Sequence, residues 1–134
     1  MLFRSVLLYE PLNRYETDLF TRQADAAAFL RQRGVGGVQL LCDLFHMNIE
    51  EADLAAALVS CRGHVGHVHW ADSNRQAMGL GHTDVRPIVA ALRTIGYHGF
   101  LSAEVLPLPT PLEAARHTIE SLRASGCVAA PRRA

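Results

Sequence analysis

The chain has 134 residues, 49% of them hydrophobic and 19% charged, which allows one domain at most and excludes a disordered or low-complexity chain. Lys plus Arg (13) balance Asp plus Glu (13), so no overall field favours nucleic acid, an acidic partner or a membrane surface, and a small ligand is expected. The three cysteines, Cys42, Cys61 and Cys127, are odd in number and match no zinc-type spacing, so they read as reduced, buried fillers in a cytoplasmic protein.

In chain order, residues 6–10 form the first strand. The opening MLFRSVLLYEPL carries one Arg and a short apolar run but no small-residue cleavage site, which favours a strand over a signal peptide. No apolar stretch approaches the roughly 20 residues of a membrane-spanning helix. Phe20, Ala24, Ala27 and Leu30 then share one helical face. A second strand over 38–43 is followed by a helix bearing Leu54, Ala57, Leu58 and Cys61 on one side. The third strand, 65–69, precedes the cleanest amphipathic stripe in the chain, Val85, Ile88, Val89, Leu92 and Ile95. The fourth, 100–105, precedes a last stripe of Leu112, Ala115, Ile119 and Leu122. Each strand run is apolar nearly throughout, as buried parallel strands are. Gly34, Gly63, Gly96 and Gly126 follow the helices, where a left-handed cap favours glycine. The segment 127–134 has no pattern and is expected to fray, leaving 1–126 as the folded unit.

Four consecutive βα units predict an α/β fold with a parallel sheet and helices outside it, either an open sheet or part of a (β/α)8 barrel. A complete (β/α)8 barrel needs about 250 residues, so the chain supplies about half of one, four consecutive parallel units of a TIM barrel.

Barrel enzymes place their active sites at the C-terminal ends of the strands, and here every such end carries a candidate metal ligand. Neighbouring strands lie about 4.8 Å apart. Inward side chains of Glu10, Asp43, His69 and Glu104 can therefore converge on one cation. A lone strand-end acid is usually a solvated cap, but a shared cation also explains why three acids gather where their charges would otherwise repel. Three carboxylates and one imidazole are a hard donor set that favours Mn²⁺ or Mg²⁺ and permits Co²⁺ or Zn²⁺.

With these ligands stand Glu10-Pro11-Leu12-Asn13-Arg14-Tyr15-Glu16, the run from Asp43 to Glu51, His67-Val68-His69 running to Asp72-Ser73-Asn74-Arg75, and Glu104 within Ser102-Ala103-Glu104-Val105. Together they resemble the keto-sugar 3-epimerases of the xylose-isomerase-like barrel superfamily, the group of the D-tagatose and D-psicose epimerases. The resemblance covers nearly the whole chain and matches the C-terminal half of that barrel. It implies that Glu10, Asp43, His69 and Glu104 bind the metal, and that Glu16, His46 and Arg75 contact the oxygens of a keto sugar or sugar phosphate.

The chemistry is coherent apart from the resemblance. Moving a hydrogen next to a ketone through an enediolate requires a Lewis acid on the carbonyl and a base at the neighbouring carbon. Glu10 and Glu104, on the first and last strands, flank the cation and suit the paired acid and base roles. His46 shares the loop after the second strand with Asp43, and Arg75 lies in a polar loop long enough to reach the site; the bland alternatives are a loop hydrogen bond and a solvent-facing arginine. His67, two residues before His69, reads as a barrel-interior histidine one layer deeper. His82 reads as a loop donor before Thr83 and Asp84, caps of the next helix.

Half a barrel exposes two sheet edges and uncovered apolar helix surface, so completion of the barrel is expected from a complementary half-barrel, a second copy or a longer parent gene. The competing readings are an inactive half-barrel that at most binds a cation, and a metal-dependent hydrolase or endonuclease of the same superfamily. The latter would need several metals and basic phosphate contacts, which the balanced charge disfavours.

Overall fold

The structure is a computed structural model that describes residues 5–127. Four parallel strands, β1 (Leu7–Tyr9), β2 (Val38–Asp43), β3 (Val65–His69) and β4 (Leu101–Ser102), lie side by side in chain order. The helices α1 (Gln23–Arg33), α2 (Leu44–Glu50), α3 (Leu54–Ser60), α4 (Val85–Thr94) and α5 (Pro111–Ala124) connect and follow them. This is the expected parallel α/β arrangement. Among the described residues no helix is long and apolar enough to cross a membrane.

Strand alternation divides the sheet into two faces. Leu40, Cys42, Val68 and Trp70 are fully buried and join Ala27, Leu30, Leu58, Ile88 and Leu92 from the helices in one core. The intervening positions, among them Leu8, Gln39, His67 and Ser102, point to the opposite face, which is only partly covered. There His67 Nε2 lies 2.7 Å from Ser102 Oγ, one layer below His69, as its spacing suggested.

Several elements differ from the sequence reading, each for a local reason. The outer strands are shorter than expected, with 3 residues in β1 and 2 in β4, because each has a neighbour on one side only. Strand β2 ends at Asp43 as expected, but the segment read as the loop after it is helix α2, which follows without a break. Phe20 lies before α1 with a positive φ of 44°, and the buried face of α1 is Gln23, Ala26, Ala27 and Leu30. On α5 the buried residues are Ala114, Thr118 and Leu122, whereas Leu112 and Ala115 are exposed. Trp70 Nε1, just after β3, donates to Ser121 Oγ of this helix at 3.0 Å. The caps match the sequence more closely. Asp53, Asp84 and Thr110 accept backbone N–H groups at the starts of α3, α4 and α5, and Gly34, Gly63, Gly96 and Gly126 all take positive φ after helices. Cys42 and Cys61 are fully buried free thiols, while Cys127 is half-buried and donates its N–H to Leu122 O. The rest of the tail, 128–134, lies outside the described residues.

Candidate metal centre

The four expected ligands come together. Asp43 and His69 are the last residues of β2 and β3 and sit opposite each other in register. Glu10 follows β1 by one residue, and Glu104 follows β4 by two. Each of the four offers a ligand atom, and these atoms lie within 4.8 Å of one another. His69 Nδ1 is the hub, at 2.9 Å from Asp43 Oδ2, 3.0 Å from Glu104 Oε2 and 3.7 Å from Glu10 Oε1.

The electrostatics of this cluster are those of a site short of positive charge. Burial raises the pKa of Glu10, and the nearby carboxylates of Asp43 and Glu104 raise it further against the opposing pull of His69 and Arg75. Glu10 Oε1 is buried and has no hydrogen-bond partner among the described residues. An orphaned carboxylate oxygen facing an imidazole nitrogen and two further carboxylates fits a hard divalent cation, which satisfies such oxygens and offsets their repulsion.

Asp43 has a second task that its strand-end position did not reveal. Its Oδ1 accepts the N–H groups of Phe45 (2.8 Å) and His46 (3.3 Å) and so caps α2, while Oδ2 faces His69 and Arg75. Because α2 starts at once, His46 is carried on its first turn to a position 3.9 Å from Glu10 Oε1. Burial lowers the His46 pKa, favouring the neutral ring. On the loop after β1, the buried Asn13 touches His46 Nδ1 through Nδ2 at 2.8 Å and the Glu16 carboxylate at 2.8 Å. Glu16 itself is exposed, its Oε1 3.9 Å from His46 Nδ1. The loop is held down by Arg14, whose backbone N–H and guanidinium both donate to Glu50 on α2.

Arg75 reaches the site but not as a free arm. Its guanidinium bridges Asp43 Oδ2 (2.9 Å) and Glu104 Oε2 (2.7 Å) and stacks 4.7 Å from the centroid of the Phe45 ring. Its φ of 63° is in the left-handed region, a strained choice for a non-glycine residue, and its C=O accepts Leu106 N–H.

What holds this loop is Asp72, a residue the sequence reading quoted in a motif but gave no role. Asp72 is fully buried, and its carboxylate accepts four backbone N–H groups, from Ser73 and Thr83 on Oδ1 and from Gly79 and Gly81 on Oδ2. Burial opposes its ionisation, but the four donors outweigh that and hold its pKa at about 2. A Cβ at Gly81 would collide with the Asp72 carboxylate and Ser73 Oγ, which explains glycine there. His82 pairs with Ser73 Oγ, as a loop histidine.

Comparison with known proteins agrees with this geometry. The family described as Xylose isomerase-like TIM barrel matches residues 4–125. The chain is 37% identical over 89% of its length to 3-dehydro-D-guloside 4-epimerase of Escherichia coli, covering 46% of that protein. It is 40% identical over 71% of its length to L-ribulose 3-epimerase of Mesorhizobium japonicum, covering 32% of it. The crystal structure of apo 3-keto-D-glucoside 4-epimerase from E. coli superimposes with a TM-score of 0.82 at 37% identity, over 89% of this chain and 46% of that one. The chain therefore spans about half or less of the length of these relatives, and its four βα units correspond to half of a barrel. On this match and on the fold, the chain belongs to the xylose isomerase-like TIM barrel family.

Proposed function

We propose that the chain carries the metal-binding and acid–base half of a divalent-metal-dependent keto-sugar epimerase or isomerase. The observation that carries this reading is the convergence of Glu10, Asp43, His69 and Glu104, with one Glu10 oxygen buried and unpartnered. The named epimerases among its relatives support it. These four residues would hold the cation, Mn²⁺ best matching the oxygen-rich set and Mg²⁺ or Co²⁺ also fitting. When bound, the ion supplies Lewis acidity at the substrate carbonyl.

The protein's own groups do the rest. Glu10 and Glu104 come from the two outer strands and flank His69, so one removes the proton beside the carbonyl and the other returns a proton to the opposite face. Glu16, His46 and Arg75 line the approach and contact the sugar oxygens, phosphorylated or not. The three free cysteines fit a reducing compartment, the cytoplasm.

Activity on this reading belongs to a closed barrel. Among the described residues the outer edges of β1 and β4 are unpaired and Leu7 and Phe100 are exposed, and a complementary half-barrel, a second copy or the rest of a longer parent chain would cover them. Native mass spectrometry identifies which.

The test is solvent exchange. With Mn²⁺ in D₂O the protein should place deuterium on a ketohexose or ketopentose, and Glu10→Gln and Glu104→Gln should each abolish the incorporation. Metal binding without any deuterium incorporation would identify the chain as an inactive half-barrel and sink the epimerase reading for the chain as it stands.

A further inference from the structure

The contacts around Asn13 leave one arrangement of protons. Its Oδ1 accepts the backbone N–H of Tyr15 at 2.9 Å, which fixes which end of the amide is oxygen. Its Nδ2 lies 2.8 Å from the Glu16 carboxylate and 2.8 Å from His46 Nδ1, one N–H for each. The backbone N–H of Asn13 also points at His46 Nδ1, at 3.3 Å. Two donors of unambiguous polarity therefore converge on one ring nitrogen, and both sit in a buried environment. A proton on Nδ1 would oppose both and leave two buried donors without an acceptor.

We propose that Asn13 is a positioning residue that fixes His46 in the Nε2–H tautomer, so that His46 meets an oxygen ligand in the site as a hydrogen-bond donor. Nε2–H is directed to the metal-centre side of the ring, 3.9 Å from Glu10 Oε1 and beyond hydrogen-bond reach of it. His46 thus supplies a proton-bearing contact to a carbonyl or hydroxyl oxygen and does not accept a hydroxyl proton. The same Asn13 amide holds Glu16, so the orientations of the two side chains are linked through one residue.

The tautomer itself is independent of any activity, whereas the oxygen ligand's identity as a sugar rests on the function proposed above. The experiment is a two-bond ¹H–¹⁵N correlation spectrum of the full ¹⁵N-labelled chain at neutral pH, with His46 assigned by its loss in His46→Gln. The expected wild-type result is an unprotonated Nδ1 and a protonated Nε2, the Nε2–H form exceeding the other by about tenfold or more. In Asn13→Asp the carboxylate becomes an acceptor, and a proton should appear on Nδ1. A wild-type Nδ1–H signal, or a near-equal mixture, would overturn the proposal without recourse to any variant. An Asn13→Asp spectrum unchanged from wild type would overturn the role of Asn13. For the ligand contact, His46→Gln, which keeps an N–H donor, should lose less deuterium exchange than His46→Glu, which presents only acceptors. Equal loss in both, with the wild-type tautomer as expected, would refute the donor role alone.

Discussion

Replacing Asp72 by Asn removes one carboxylate oxygen and puts an N–H₂ group where two backbone N–H donors point. Whichever way the amide turns, either Ser73 and Thr83 or Gly79 and Gly81 lose their acceptor. Each buried donor left unsatisfied costs about 1–3 kcal/mol, so the variant should lose about 2–6 kcal/mol of stability. The acid linkage gives an independent lower figure. A carboxyl held at a pKa of about 2 against an ordinary value of 3.8 prefers its ionised form in the fold by about 2 kcal/mol. Because the folded pKa is depressed, this stabilisation is fully present above the unfolded pKa and is lost as pH falls through the folded one. The chain has one tryptophan, Trp70, fully buried two residues from Asp72, and its fluorescence reports urea unfolding. With a slope of about 1–3 kcal/mol per molar, the midpoint should fall by about 1 M or more at pH 7. The gap between wild type and variant should narrow by about 1 kcal/mol or more between pH 6 and pH 2.5. A loss under about 1 kcal/mol at pH 7, or a gap that ignores pH, would refute the assignment of Asp72 as the anchor of this loop.

Two further outcomes bear on the metal centre. Asp43→Asn should keep the cap on α2 through Oδ1, since Asn caps as well as Asp, while its Nδ2 faces Arg75 in place of Oδ2 and the buried ion pair is lost. Its Mn²⁺ affinity by calorimetric titration should fall by about 100-fold or more, because the loss of a direct ligand exceeds the 10- to 100-fold cost of losing a supporting contact; unchanged affinity would remove Asp43 from the ligand set. Arg75→Met takes a positive charge away from Asp43 Oδ2 and Glu104 Oε2. At a few ångströms and an effective dielectric near 20 that charge costs a cation several kcal/mol, so Mn²⁺ should bind at least about tenfold tighter, and weaker binding would contradict the geometry.

The strands and the convergence of the residues at their ends were legible in the sequence because both depend on short-range pattern. Apolar runs marked the strands, and Glu10, Asp43, His69 and Glu104 each stand at or just past the end of one. Helix α2 was not legible, since a cap that is also the last strand residue leaves no loop to punctuate the change of period. The burial of α5 was misread for a different reason. The spacing of Leu112, Ala115 and Ile119 is helical, but an apolar stripe shows only which side seeks cover, and here the buried face is Ala114, Thr118 and Leu122. Asp72 and Asn13 act on backbone amides and on groups distant in sequence, and no spacing rule identifies such partners.

The divided carboxylate of Asp43 also bears on which ions the site would accept. With Oδ1 tied to two amides of α2, Oδ2 cannot swing outward without uncapping a helix. A donor fixed in this way suits ions bound at about 2.0–2.2 Å and resists the wider, more crowded shell of Ca²⁺ at 2.3–2.6 Å with 6–8 oxygens. Discrimination by ionic radius would then be set by the stability of a 7-residue helix rather than by the ligands alone.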